Sequence, residues 1–197
     1  MTDIFQLAKK LSPSKEIQLG TMKNNKIANV VGPEKVAGEP SCQKVMRNHK
    51  RFYNEWIRRR NPTGIYNCAG MVWASRRTCI FDDEGNDVYD SIIKDDGLGK
   101  IEISQVVPGD IVVYRETETE SIVHVARVCG CSGVENLRTI QVISKWDHTS
   151  GEYIHEHKNI FYRPYLSNGM YNVRIEYYSD RKQEDYHAPQ NTSIIIE

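Results

Sequence analysis

Pro108-Gly109-Asp110-Ile111-Val112-Val113-Tyr114, followed by Ile122-Val123-His124-Val125-Ala126-Arg127-Val128, reads as a turn and then two strands of one hairpin. Both runs are rich in β-branched residues, and the intervening Glu116-Thr117-Glu118-Thr119-Glu120 is a polar loop. Further strands are expected downstream at Thr139–Trp146, Glu152–His155 and Met170–Tyr178, and upstream where Ile101–Val106 alternates. These strands are expected to form an antiparallel meander.

Helical patterns precede the meander. Val45, Phe52 and Trp56, flanked by Tyr53 and Ile57, give an apolar stripe that predicts a helix over 42–60 with Arg58-Arg59-Arg60 in its last turn. Asn67 is a good N-cap for a second helix, Cys68 to Arg77. A third carries Val88, Ile92 and Ile93 on one face and stops at Gly97, after a turn at Asp82–Asn86. Ile4, Leu7, Ala8 and Leu11 predict a short amphipathic helix that ends near Ser12-Pro13. Helices first and strands afterwards give the α+β class, with helices packed on an antiparallel β-sheet. The divisions expected are a basic, loop-rich arm over 1–41, a folded body over 42–178 and a polar tail over 179–197.

At 197 residues the chain fits one domain of ordinary size. Twenty-six basic and twenty-six acidic side chains cancel, which argues against nucleic acid as the partner. The cancellation hides a split. Residues 1–60 hold thirteen Lys/Arg against five Asp/Glu, whereas 81–120 hold three against twelve. No apolar run approaches the roughly 20 residues of a membrane-spanning helix. The first ten residues lack the pattern of a secretory signal. Five cysteines, an odd number, suit reduced thiols. A cytoplasmic location without membrane association is the expectation. Cys129-Gly130-Cys131 has no second pair to complete a zinc site, and no phosphate-binding GxxxxGK[ST] loop occurs, so neither a metal nor another cofactor is expected.

Among the thiols, Cys68 is distinguished by its place at a helix start. Unpaired backbone N–H groups there favour an anion and lower a thiol pKa. The small Ala69-Gly70 pair would admit a substrate backbone. His124 supplies a base on an otherwise apolar strand. A lone strand histidine is more often a core residue than a catalyst, and it is the helix-start cysteine upstream that makes His124 a candidate. An orienting partner for the imidazole would come from the following strand. Asp147 is the first choice, with Ser144 and His155 as alternatives.

Three of these segments carry a resemblance. Asn67-Cys68-Ala69-Gly70-Met71-Val72 resembles the Asp-Cys-Ser-Gly-Leu-Val signature of the NlpC/P60 cysteine peptidases. The Pro108–Tyr114 segment resembles their Pro-Gly-Asp-Leu-Val-Phe-Phe, and His124–Val128 their His-Val-Gly-Ile-Tyr strand. The three occur in the family's order within about residues 62–148. Asn67 and Ala69 stand where the signature has Asp and Ser. The resemblance implies a papain-like catalytic domain over 42–178, with Cys68 as nucleophile, His124 as general base and a third polar residue between Ser144 and Asp147. The implied activity is thiol-dependent cleavage of an amide bond through a Cys68 thioester, without a cofactor. Its substrate would be a peptide, a protein or a peptidoglycan fragment. The alternatives are a papain-like deamidase, acyltransferase or effector toxin, or a catalytically inactive binding module of the same fold.

Overall fold

In the computed structural model, which describes residues 15–36, 55–82, 87–133, 138–160 and 172–182, the hairpin lies inside a seven-stranded sheet. Its strands are β2 (Ile57–Arg60), β4 (Gly99–Ile101), β5 (Ile111–Glu116), β6 (Ile122–Ser132), β7 (Thr139–Ser144), β8 (Glu152–Glu156) and β9 (Val173–Ser179). They follow the order β2-β8-β7-β6-β5-β9-β4, and every pairing is antiparallel. The fold is thus mixed and sheet-rich, in keeping with the α+β class.

Side chains alternate across the sheet and build two separate cores. Val113, Val125 and Ile143 face the helices and join Ala69, Met71 and Ile92 in one cluster. Val112, Tyr114, Ala126 and Val142 face the other way and form a second. The central register sets Val113 opposite Val125 and Tyr114 opposite His124. It then breaks, because Arg115 pairs with Ile122 and leaves one extra residue on β6. This bulge returns Ile122 to the helix-side cluster even though Val125 already lies there.

Among the described residues two helices cover the first face. Helix α1 (Cys68–Trp73) starts at Asn67, whose Oδ1 accepts the Gly70 N–H at 2.9 Å. The same Oδ1 accepts the Ile80 N–H at 3.1 Å, which ties the cap to the short strand β3 (Cys79–Ile80). Gly70 permits that closeness, since a Cβ there would lie 1.7 Å from the Thr78 carbonyl oxygen. The expected continuation to Arg77 does not form, because Ser75 and Arg76 adopt left-handed φ values of 48° and 65°. Helix α2 (Val88–Asp95) buries Tyr89, Ile92 and Ile93, and Gly97 follows it at φ 68°.

The helix expected to run through residue 60 is corrected at its end: Ile57–Arg60 is strand β2, paired with β8. Local helix propensity is worth only tenths of a kcal/mol per residue for Arg. Cross-strand pairing and the reach of Arg59 to a buried carboxylate outweigh it. Ile101–Val106 is strand only to Ile101 and then turns as a 3-10 helix, Ile103–Gln105. Strand β7 ends at Ser144, two residues short of Trp146.

The described part of the basic arm is not an appendage. Strand β1 (Asn29–Val30) pairs with β3, and Ile27 and Val30 are buried. Asp95 accepts hydrogen bonds from Thr21 and Asn25, Lys23 lies 3.4 Å from it, and the Met22 N–H reaches Asp96 at 2.7 Å. Part of the basic segment therefore packs on the acidic one. The helix expected near Ile4–Leu11, the Val45–Tyr53 stripe, most of the Asp82–Asn86 turn and the tail beyond residue 182 lie outside the described residues. Among the described residues no helix is long and apolar enough to cross a membrane.

Candidate functional site

Cys68 opens α1 and packs, half-buried, against the helix-side core. Loss of solvent pushes its thiol above the ordinary value. The backbone N–H groups of Val125 and Ala69 and the Lys145 ammonium pull the other way without prevailing. Cys79, deeper in the same region, is pushed up to about 12 by burial. The helix-start position thus does not yield a low-pKa thiol. Asn67 already occupies the end of α1, and the helix has only six residues.

His124 stands on the other side of the sheet. Its strand neighbour Val125 joins the cluster that holds Cys68, whereas His124 lies beside Tyr114 in the opposite layer. The Tyr114 ring is 5.4 Å from the imidazole, and the Trp146 indole stacks on it at 4.2 Å and 13°. The stack continues, with Trp146 on Trp56 at 5.3 Å and Trp56 on His155 at 4.3 Å. His124 is 1% exposed. Desolvation, with the nearby His155 adding to it, brings its pKa down to about 3. The predicted Cys68–His124 pair is therefore not assembled: the sheet lies between the two side chains. The cause is the register, because Val125 rather than His124 takes the helix-facing position.

Of the third-residue candidates, His155 shares the face of His124 and belongs to the same stack. Burial drives it down to about 4. Ser144 is fully buried and lies on that face by strand alternation, opposite Tyr153. Asp147 sits in the loop after β7, where its Oδ1 accepts the Thr149 N–H and hydroxyl, both at 2.6 Å. That is a turn-forming role. Cys129 and Cys131 project into opposite cores, so they do not converge on one ion.

On the helix side, at the end of the sheet, lies a cleft of about 1160 Å³. Its walls carry Lys35, Arg58, Arg59, Arg60 and Arg76, with Glu34 and Tyr66. Beneath it is Glu152, which is 0% exposed. Its carboxylate accepts from Tyr66 Oη at 2.7 Å, Arg59 Nη1 at 2.8 Å and Arg76 Nε at 2.5 Å, with Arg60 Nε at 3.6 Å. Burial alone would raise the pKa of Glu152. The hydrogen bonds from Arg76, Tyr66 and Arg59 overcome that and hold it below the usual carboxylate range. Tyr66, desolvated and bonded to this carboxylate, is raised well above the ordinary phenol. Lys145, also 0% exposed, donates to the carbonyls of Thr63 and Ser150 and lies over the Tyr66 ring at 5.1 Å. Gly151 lets the chain pass β2, since a Cβ there would lie 2.2 Å from the Arg60 carbonyl oxygen.

No protein-family model matches this chain, nor does any curated protein or solved structure. The cleft is consequently read from its own chemistry. Among the described residues five cations and Glu34 line it, with the buried Glu152 beneath. Arg58 and Lys35 make no ion pair among the described residues. Sequence reading placed the arginine triplet in the last turn of a helix and missed Glu152, Arg76 and Lys145. No local signal marks Glu152, which stands in a strand like any exposed acid. The pairing of β2 with β8 brings Arg59 and Arg60 to it, and the ends of the α1 segment bring Tyr66 and Arg76.

Proposed function

We propose that this chain is a binding module for an anionic ligand, seated in the arginine cleft. The observation that carries the reading is the excess of cations around a carboxylate that is already saturated. Glu152 fixes Arg59 and Arg76 in place, so little side-chain freedom is lost when a ligand arrives. Arg58 and Lys35 add charge that no ion pair among the described residues neutralises, and planar guanidinium forks suit oxyanions. In this reading the papain-like arrangement that the motifs resemble serves as a scaffold, and the hydrolase chemistry is not used.

The test is the binding of polyglutamate and of tripolyphosphate to the full chain at low and high ionic strength. Binding that weakens with salt and is lost in Arg58→Glu/Arg60→Glu, but kept in Cys68→Ala, is the expected result. Failure of both anions to bind at low salt would overturn the reading.

A second reading keeps Cys68 as the nucleophile of an amide-cleaving enzyme. It draws on the partial exposure of Cys68 and on the Val125 and Ala69 N–H groups and Lys145, all of which favour a thiolate. It would require a base other than His124. Hydrolysis of a peptide or amide library that disappears in Cys68→Ala and persists in His124→Phe would support it.

A further inference from the structure

We infer that residues 15–36 clamp the cleft: an anion held between Lys35 and Arg58 tightens the docking of this segment, and the docking sets the affinity for the anion. The inference rests on the anion-binding reading above and adds its regulation. The two cations that make no ion pair among the described residues stand on different elements. Lys35 belongs to the segment and Arg58 to β2, and both are exposed. A ligand that touches both joins the two walls. It therefore binds the docked form better than a form in which the segment has come away.

The segment folds back on itself around the buried Asn29. The Asn29 Oδ1 accepts the Ile17 N–H at 3.1 Å, its Nδ2 donates to the carbonyls of Ile17 and Ile27, and the Val31 N–H returns to the Lys15 carbonyl at 3.0 Å. Two attachments hold it to the body. Near the cleft, β1 pairs with β3 over two residues, the Gly64 N–H donates to the Pro33 carbonyl at 2.9 Å and the Gly32 N–H to the Ile65 carbonyl at 3.4 Å. These bonds carry Glu34, Lys35 and Val36 into the cleft wall. The far attachment is polar. Asn25 Nδ2 donates to Asp95 at 2.6 Å and the Met22 N–H to Asp96 at 2.7 Å, both exposed, with Thr21 and Lys23 also on Asp95. These six residues lie outside the cleft lining. Burial of Ile27 and Val30 favours docking, but a two-residue strand pairing and exposed polar bonds make a weak local attachment. Loosening the far end populates the undocked form and lowers the anion affinity in proportion. Charge alone predicts the opposite. Asp95→Ala/Asp96→Ala removes two negative charges, and the field of the chain would then hold an anion more tightly.

The experiment is calorimetric titration of the full chain with tripolyphosphate and with polyglutamate at low ionic strength, together with hydrogen exchange at the Val31 and Gly32 amides. A bound anion should slow exchange at both amides. Asp95→Ala/Asp96→Ala should speed exchange and weaken the anion about five- to tenfold. Lys35→Ala, which leaves both attachments in place, should bind more weakly and lose the slowing, whereas Glu34→Gln should bind more tightly. Equal or tighter binding by the double variant, or exchange in the wild-type chain that a bound anion does not slow, would overturn the clamp and leave anion binding standing. Failure of both anions to bind the wild-type chain would overturn the anion-binding reading together with this one.

Discussion

Acidification from about pH 7 to about pH 5 should destabilise the fold through its buried histidines. In the native state His124 is brought down to about 3 and His155 to about 4, both from an ordinary 6.5. A depressed histidine pKa means that the unfolded chain takes the proton first. The stabilisation is complete above pH 6.5 and is lost as pH falls towards the native values. One pKa unit is worth about 1.4 kcal/mol, so the full effect is about 5 kcal/mol for His124 and about 3 for His155. At about pH 5 each has lost roughly 2 kcal/mol, a total of about 4 out of the 5–15 typical of a domain. His157 is lowered by burial and acts in the same direction. Carboxylates held low by ion pairs, such as Glu176 at about 2, lose their contribution as pH falls from the ordinary value of 4.5 towards the native one, mostly beneath this window. Urea unfolding at several pH values measures the loss. His124→Phe keeps a ring on Trp146 and should roughly halve it. A loss below about 1 kcal/mol, or one that His124→Phe does not change, would refute this placement of His124. Stability that rises as pH falls through 6.5 would point instead to a histidine paired with an anion.

Glu152→Gln removes the charge that three arginines and Tyr66 surround, and should lower stability by about 3–5 kcal/mol in chemical denaturation. Gly70→Ala places a Cβ 1.7 Å from the Thr78 carbonyl oxygen and should cost about 3 kcal/mol or prevent folding, visible as loss of a cooperative thermal transition. Asn67→Ala removes the acceptor shared by the Gly70 and Ile80 N–H groups, with an expected loss of about 1–2 kcal/mol in the same assay.

Much of the sheet was legible because its strands carry their own signals. The Ile111–Tyr114 and Ile122–Val128 runs form the central hairpin, and Gly97 and Asn67 mark helix ends where local chemistry demands them. Residues 57–60 were misread because isoleucine and arginine tolerate a helix, whereas the reason for a strand, β8 and its Glu152, lies more than ninety positions away. The pairing of Cys68 with His124 failed for a subtler reason. Alternation correctly separates His124 from Val125, but it does not say which of the two meets the helices. The register that sets Val125 opposite Val113, and the packing of α1 against Val125, decide that. Asp147 looked like an orienting carboxylate because turn formation and imidazole orientation both favour the same residue type. The arginine triplet was visible as charge, and its role emerged only when Arg76 and Glu152 joined it.

The claim that Cys68 and His124 work on different faces is tested most directly by alkylation. The rate of iodoacetamide reaction at Cys68, mapped by mass spectrometry across pH, gives its apparent pKa in the wild-type chain and in His124→Phe. The two curves should coincide, with a pKa above the ordinary thiol value. An apparent pKa well below that value, rising when His124 is replaced, would place the imidazole beside the thiolate and contradict the account.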